Sequence, residues 1–194
     1  VFFTDVRIPH ENVVGDVNDG WRLAKVTLAN ERVSLSGGGA LWGNGPDAGD
    51  LLDLVRAQGG TGDPVFRQRL ARIHTESEIL RLIRLRTVTA AIKGRQPGPE
   101  ASIRKILADE HGMRIMELAK DLSGASALVT DSRPLGADPG LWHFGWLFSQ
   151  ALTIGGGTGD VQRNIVAERV LGLPHDIDVE VGRSWAEARR APAG

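Results

Sequence analysis

The chain lacks cysteine altogether, and this absence excludes disulfide bonds, thiolate chemistry and cysteine-ligated metal sites. It also lacks tyrosine, and aromatic residues make up only 5% of its 194 residues. No apolar run is long enough to cross a bilayer. The five histidines show no HxxxH pair or other ligand spacing, so we predict no metal site.

An excess of either charge is missing as well. The 23 Lys and Arg residues balance 24 Asp and Glu residues, and the net charge is −1. This balance gives no reason to expect nucleic acid or an anionic membrane as a partner. The 41% of apolar and 24% of charged residues are typical of a globular protein with a core. The first residues, VFFTDV, do not resemble a signal peptide, and we predict a cytoplasmic protein.

The first residues have the pattern of a strand without a partner. Phe2, Phe3 and Val6 are typical strand residues, and no second strand follows them. We therefore expect residues 1–15 to form a short extended arm at the end of a preceding β-domain. The chain would then be the C-terminal fragment of a longer enzyme, and inactive by itself. The alternative is a small helical protein with a β-like arm.

Helical periodicity dominates the rest of the chain. Apolar spacing and breakers predict helices from Gly20 to about Ala40, Asp47 to Arg56, Pro64 to about Gly94, Pro99 to Leu122, Leu141 to Leu152, and from a glycine turn to Leu171. Asp63 and Pro64 stand in the favoured order for a helix start. Long amphipathic helices with short loops predict an all-α, antiparallel up-and-down bundle over residues 16–174. Residues 175–194 would form a tail.

The predicted helices also carry predicted buried faces. On the first helix Trp21, Ala24, Leu28, Glu31 and Leu35 share one face. The helix that ends at Leu122 is expected to bury its apolar residues, which are Ile103, Leu107, Ile115, Leu118 and Leu122. We interpret the aromatic cluster near the C-terminus as packing in the core or in a subunit interface; its members are Trp142, Phe144, Trp146 and Phe148.

The segment TIGGGTGDVQRNIVAERVLGLP, residues 153–174, is the strongest functional pattern. Three glycines precede Thr158, a plausible helix N-cap, and Asp160, which suits the positive end of a helix dipole. A glycine-rich turn before a helix can bind an anion or a cofactor through its backbone. The alternative interpretation is an ordinary change of chain direction.

Glu31 is the candidate catalytic residue because it is a carboxylate on an apolar stripe. Burial disfavours the charged form and raises the pKa of a carboxyl group, as a general base near neutral pH requires. The alternative is a glutamate paired with an arginine of a neighbouring helix, such as Arg67 or Arg81.

Three segments resemble the acyl-CoA dehydrogenase family. Residues 153–174 resemble its C-terminal GGTSEIQRN-like signature, VFFTDVRIPHENVVG at 1–15 resembles the end of its β-domain, and SIRKILADEHGMRIMELAKDLSG at 102–124 resembles its third large helix. The resemblance implies a C-terminal helical domain whose Gly156, Gly157, Thr158 and Asp160 contact FAD. It also implies α,β-dehydrogenation of an acyl-CoA thioester, transfer of electrons to electron-transferring flavoprotein, and a homo- or hetero-oligomer, as a dimer or tetramer.

The resemblance also bears on the catalytic base. Most members of the family carry a glutamate at the position of Gly156, whereas a minority carry it on the first helix, where the matching residue here is Glu31. The family's RxxFG segment is not recognisable between residues 45 and 66, and Asp121 stands where glutamine is usual.

Two further interpretations stay open. Some actinobacterial relatives, notably in steroid side-chain degradation, assemble from two unlike subunits that share FAD sites. This chain could be a structural or half-site subunit of such an enzyme. A flavin-dependent oxidase or hydroxylase of the same fold is the third possibility.

Overall fold

The computed structural model describes residues 1–34, 40–95, 98–128, 139–175, 177 and 182–189, without the side chains of 29–34, 126, 139, 140, 185 and 188. The α-helices are α1 (Gly20–Ser34), α2 (Ala48–Ala57), α3 (Pro64–Ile92), α4 (Ala101–Ser123), α5 (Pro139–Ser149), α6 (Gly159–Ile165) and α7 (Trp185–Ala188). Shorter 3-10 turns span His10–Asn12, Gly124–Leu128 and Gln150–Thr153, and a π-helical turn spans Val166–Val170.

The architecture is the predicted all-α bundle with an extended N-terminal arm. No β-strand occurs in the described part of the chain, where the only bridge joins Leu41 and Asn44. The arm is exposed along its length and contains one 3-10 turn. None of the described helices combines the length and the apolarity needed to cross a membrane.

Local capping signals explain where α2 and α3 begin. Asp63 accepts a hydrogen bond from the amide of Val65 at 2.8 Å, and Pro64 occupies the first turn of α3, as predicted. Asp47 and Asp50 form a reciprocal capping box at the start of α2. These caps satisfy amides that have no partner inside the helix.

Helix α4 lies at the centre of the molecule and contacts α1, α2, α3, α5 and α6. The buried apolar core comprises Leu41, Leu51, Leu54, Val55, Phe66, Ile73, Ile115, Met116, Leu118, Ala119, Trp142 and Leu152. Gly112 of α4 permits a close approach, because a Cβ there would come 2.3 Å from the carbonyl oxygen of Ala40. The turn after α1 therefore packs directly on the backbone of α4.

The predicted buried face of α4 is only partly correct. Ile115 and Leu118 are buried, but Ile103 is 41% exposed. The buried stripe instead follows a regular spacing of three and four residues through Ser102, Lys105, Asp109, Gly112, Met116 and Ala119. Because half of this stripe is polar, apolar periodicity alone misplaces it.

The apolar face predicted for α1 is also largely exposed among the described residues. Trp21 is 72% exposed and Leu28 is 48% exposed. The described helix ends at Ser34, whereas the prediction extended to about Ala40; residues 35–39, which include Leu35, lie outside the described residues.

The aromatic cluster divides into buried and exposed members. Trp142 is buried and Phe148 is half-buried, as the core interpretation requires, but Phe144 and Trp146 are exposed. Trp42 meets Phe148 edge to face, with 5.3 Å between the ring centroids. Core packing accounts for the buried half of the cluster, and the subunit-interface interpretation of the exposed half stays a prediction.

Candidate glycine-turn site

The glycine turn at residues 155–157 needs glycine for two different reasons. Gly156 and Gly157 adopt φ values of 66° and 93°, a region that other residues rarely enter. A Cβ on Gly155 would come 2.6 Å from the ring of Trp42. The turn is therefore shaped both by its own backbone and by the indole packed against it.

Thr158 and Asp160 begin the helix after the turn. The Thr158 hydroxyl oxygen accepts a hydrogen bond from the amide of Val161 at 3.4 Å, so Thr158 is the N-cap of α6, as predicted. Asp160 forms an ion pair with Arg163 at 3.1 Å. Both side chains are exposed. These local roles leave the remaining lone pairs and the Thr158 hydroxyl proton free to face a ligand.

Lys105 of α4 supports the turn from inside the bundle. Its Nζ donates to the carbonyl oxygens of Leu152, at 3.0 Å, and Gly157, at 2.9 Å. The third partner is the carboxylate of Asp109, one helical turn further along α4. Burial raises the pKa of Asp109 to about 6, although the hydrogen bond and the charge of Lys105 oppose this rise. Sequence reasoning missed this pair, because a Lys and an Asp four residues apart are usually a surface pair.

Gln162 supports the turn from the other side. Its Nε2 donates to the carbonyl oxygen of Gly156 at 2.8 Å, and its side chain is 1% exposed. Its Oε1 is buried and has no hydrogen-bond partner among the described residues. An unpaired buried amide oxygen is costly, so it marks a position where a donor from a ligand or a neighbouring domain would be accommodated.

An ion-pair network connects the helix after the turn to α3. Arg163 reaches Glu110 at 3.1 Å, Glu110 pairs with Arg114 at 3.3 Å, and Arg114 pairs with the buried Glu76 at 3.0 Å. The network therefore joins α6, α4 and α3 through alternating charges.

Glu76 and His111 form the buried end of this network. Burial alone would raise the pKa of Glu76, but hydrogen bonds from Arg72, His111 and Arg114 outweigh it and hold the pKa below its usual range. Burial lowers the pKa of His111. The imidazole Nδ1 lies 3.2 Å from the Glu76 carboxylate, and it is the donor there because an ionised carboxylate can only accept. The spacing of Glu76 on α3 did not reveal this role.

A shallow cavity of about 250 Å³ lies beside the turn. It is lined by Ile106, Asp109, Glu110, Thr153, Thr158, Gly159, Asp160 and Arg163. Two of the predicted cofactor contacts, Thr158 and Asp160, therefore border one cavity together with the network described above. No group of three or more potential metal ligands occurs among the described residues.

Glu31 lies in the last turn of α1, but its side chain is outside the described residues. Its role as a base stays a prediction. Of the two arginines considered as its partners, Arg81 is paired with Glu78 at 2.9 Å. Asp121, which stands where the resemblance leads one to expect glutamine, pairs with Arg69 at 2.5 Å.

Comparisons with known proteins point to the family that the sequence motifs resemble. Residues 18–171 match the family model described as acyl-CoA dehydrogenase, C-terminal domain. The chain is 36% identical over 175 residues to the acyl-CoA dehydrogenase FadE34 of Mycobacterium tuberculosis. The aligned region covers 90% of this chain and 22% of FadE34. It is 35% identical over 178 residues to the acyl-CoA dehydrogenase IpdE1 of Mycolicibacterium smegmatis, and this alignment covers 91% of this chain and 43% of IpdE1.

Solved structures show the same fold. The Tcur3481-Tcur3483 steroid ACAD superimposes with a TM-score of 0.73 and 25% identity, over 90% of this chain and 45% of that one. The ChsE4-ChsE5 complex from Mycobacterium tuberculosis superimposes with a TM-score of 0.69 and 29% identity, over 91% of this chain and 46% of the matched chain. The chain thus spans less than half the length of each of these proteins.

Proposed function

This chain belongs to the acyl-CoA dehydrogenase family as a C-terminal helical domain, and we propose that it serves a FAD-dependent α,β-dehydrogenation of an acyl-CoA thioester, with the electrons passed to electron-transferring flavoprotein. In this proposal residues 1–15 are the end of a β-domain, residues 16–174 are the helical domain and residues 175–194 are a tail. One observation carries the proposal, namely the glycine turn at 155–157, held by buried side chains beside Thr158 and Asp160.

The turn fits a cofactor that is contacted mainly through the backbone. The amides of Gly156, Gly157 and Thr158 have no acceptor within the part of the chain that the structure describes. Side chains at the glycines are absent, so a flat or anionic group can approach closely. Gly156, Gly157, Thr158 and Asp160 would hold FAD on this side, together with residues from other parts of the protein.

In this proposal the chain contributes a base and one side of the cofactor site. A thioester carbonyl acidifies the α-proton of the substrate, and a carboxylate can remove it. Glu31 is proposed to accept this proton on a carboxylate oxygen, since Gly156 has no carboxylate to offer. FAD, when bound, would supply the acceptor for the hydrogen that leaves the β-carbon together with its two bonding electrons.

A subunit that shares its site with an unlike partner is the second candidate. The missing RxxFG segment favours it, as do the names of two structural neighbours, the Tcur3481-Tcur3483 steroid ACAD and the ChsE4-ChsE5 complex. In that case the partner would supply the base or part of the FAD site. A steroid acyl-CoA is then the first substrate class to test.

Replacement of Glu31 by glutamine tests the proposed base in the FAD-loaded enzyme. Glu31→Gln keeps the shape of the side chain but removes the proton acceptor. We expect flavin reduction by an accepted acyl-CoA, followed by anaerobic stopped-flow absorbance, to slow by roughly 10²–10⁴-fold, while FAD stays bound.

A second substitution in the same background separates the two candidates. Gly156→Glu combined with Glu31→Gln should recover part of the rate if both positions face the same α-carbon. Wild-type reduction rates in the Glu31→Gln enzyme would mean that Glu31 is an ion-pair residue. The base would then come from elsewhere, as in the shared-site candidate.

A further inference from the structure

We propose that Lys105 is a positioning residue that holds the glycine turn in its cofactor-binding conformation from inside the bundle. This inference rests on the proposed function for the identity of the cofactor. Lys105 does not line the cavity beside the turn, so it acts through the turn and not on a ligand directly.

The hydrogen-bond capacity of Lys105 is fully used. An ammonium group has three protons, and three acceptors surround it: the Asp109 carboxylate and the carbonyl oxygens of Leu152 and Gly157. The residue is 3% exposed. Removing such a group from water is favourable only when the protein replaces every lost hydrogen bond.

The two carbonyl contacts distinguish this lysine from an ordinary helical ion pair. An ordinary ion pair between residues four apart on a helix would join Lys105 to Asp109 alone. Leu152 and Gly157 lie 47 and 52 residues further along the chain; Leu152 lies shortly before the turn, and Gly157 is its last residue. One ammonium group therefore fixes the segment before the turn and the end of the turn to the central helix.

The direction of these contacts determines where the amides of the turn point. In a trans peptide the carbonyl and the following N–H point in opposite directions, and the described chain has no cis peptide. The Gly157 carbonyl points to Lys105, so the Thr158 N–H points away from it. The Gly156 carbonyl points to Gln162, so the Gly157 N–H points away from that buried amide. Lys105 and Gln162 together thus direct two donors of the turn outward.

Hydrogen exchange measured by mass spectrometry on this chain tests the positioning step. The double variant Lys105→Met/Asp109→Asn removes both buried charges, so neither is left alone in the core. We expect the amides of Ile154, Gly155 and Gln162, which are hydrogen-bonded in and just after the turn, to exchange at least roughly tenfold faster, a change worth about 1.4 kcal/mol. Exchange in α3 should stay unchanged, which shows that the bundle is folded.

Two matched variants sharpen this test. Lys105→Arg keeps the charge and should restore part of the protection. Lys120→Met removes a lysine at the other end of α4 that bonds to the carbonyl of Ala127, and it should leave the turn unchanged. Equal exchange at the turn in the double variant and the wild type would overturn the proposal.

FAD titration of the full-length enzyme, after its FAD has been removed, tests the link to the cofactor. The double variant should bind FAD at least roughly tenfold more weakly, with Lys105→Arg between it and the wild type. Faster exchange at the turn with unchanged FAD affinity would reduce Lys105 to a structural residue and overturn the inference. A wild-type protein that binds no FAD would instead refute the proposed function, and the exchange result would still decide whether Lys105 holds the turn.

Discussion

At the scale of single residues, the buried charges beside the glycine turn dominate the behaviour of the site. Asp109 is buried against Lys105, and its carboxylate gains a cation but loses water. Glu76 is buried as well, but it receives three donors and its pKa falls. Asp109 is more deeply buried and receives its hydrogen bond from Lys105, whereas Glu76 receives three donors.

The raised pKa of Asp109 predicts a pH dependence of stability. The folded carboxyl group takes up a proton near pH 6, whereas the unfolded one takes it up near its ordinary value of 3.8. Its contribution to stability is therefore fully present below about pH 4 and is lost as the pH rises through 6. Compared with Asp109→Asn, the wild type should lose on the order of 1–3 kcal/mol of unfolding free energy between pH 4 and 7.

Denaturant unfolding at a series of pH values measures this difference. Asp53→Asn is the matched control, because Asp53 is an exposed aspartate paired with Arg56. A wild-type and an Asp109→Asn curve that run parallel through pH 6 would contradict the prediction.

At the scale of elements, helix starts could be predicted well and helix faces less well. Asp63 and Pro64 mark the start of α3 by chemistry that is local to the chain. The buried face of α4 depends on what packs against it. Lys105 can be buried because the carbonyl oxygens of Leu152 and Gly157 accept from its ammonium group, and Asp109 is satisfied in turn by Lys105. No local pattern contains that information.

The close packing of α4 predicts a strong effect at Gly112. An added Cβ would come 2.3 Å from the carbonyl oxygen of Ala40 and 2.8 Å from Leu152 Cδ1. Although alanine favours a helix, we expect Gly112→Ala to lower the free energy of unfolding by about 1–3 kcal/mol, the usual cost of overpacking.

Gly20→Ala is the control for that substitution, since Gly20 begins α1 and a Cβ there meets nothing within 4 Å. Urea denaturation should place this variant within about 0.5 kcal/mol of the wild type. A Gly112→Ala protein as stable as Gly20→Ala would show that the turn at Ala40 can move away.

At the scale of the whole molecule, exposed apolar side chains predict self-association. They cluster on α3 at Ile79, Leu82, Leu85, Val88 and Ile92, and on α5 at Phe144, Trp146 and Leu147. Apolar patches of this kind are usually covered by another surface. Sedimentation velocity at micromolar concentration should therefore detect species larger than a monomer.

Charge placed on α3 tests which surface is responsible. The double variant Leu82→Lys/Leu85→Lys should shift the distribution toward monomer, whereas Val65→Lys, at the exposed first turn of the same helix, should not. A wild-type chain that sediments only as monomer would refute the prediction.

The sequence by itself determined the helices and the fold class, because caps, breakers and apolar spacing act within a few residues of one another. It also identified the glycine turn, whose residue types are local as well. Only the tertiary structure decided how that turn is held. Lys105, Gln162 and Trp42 are distant from one another in the chain and meet at residues 155–157 only after α4, α6 and the turn after α1 have packed. Such contacts depend on three-dimensional distance, and no spacing along the chain encodes it.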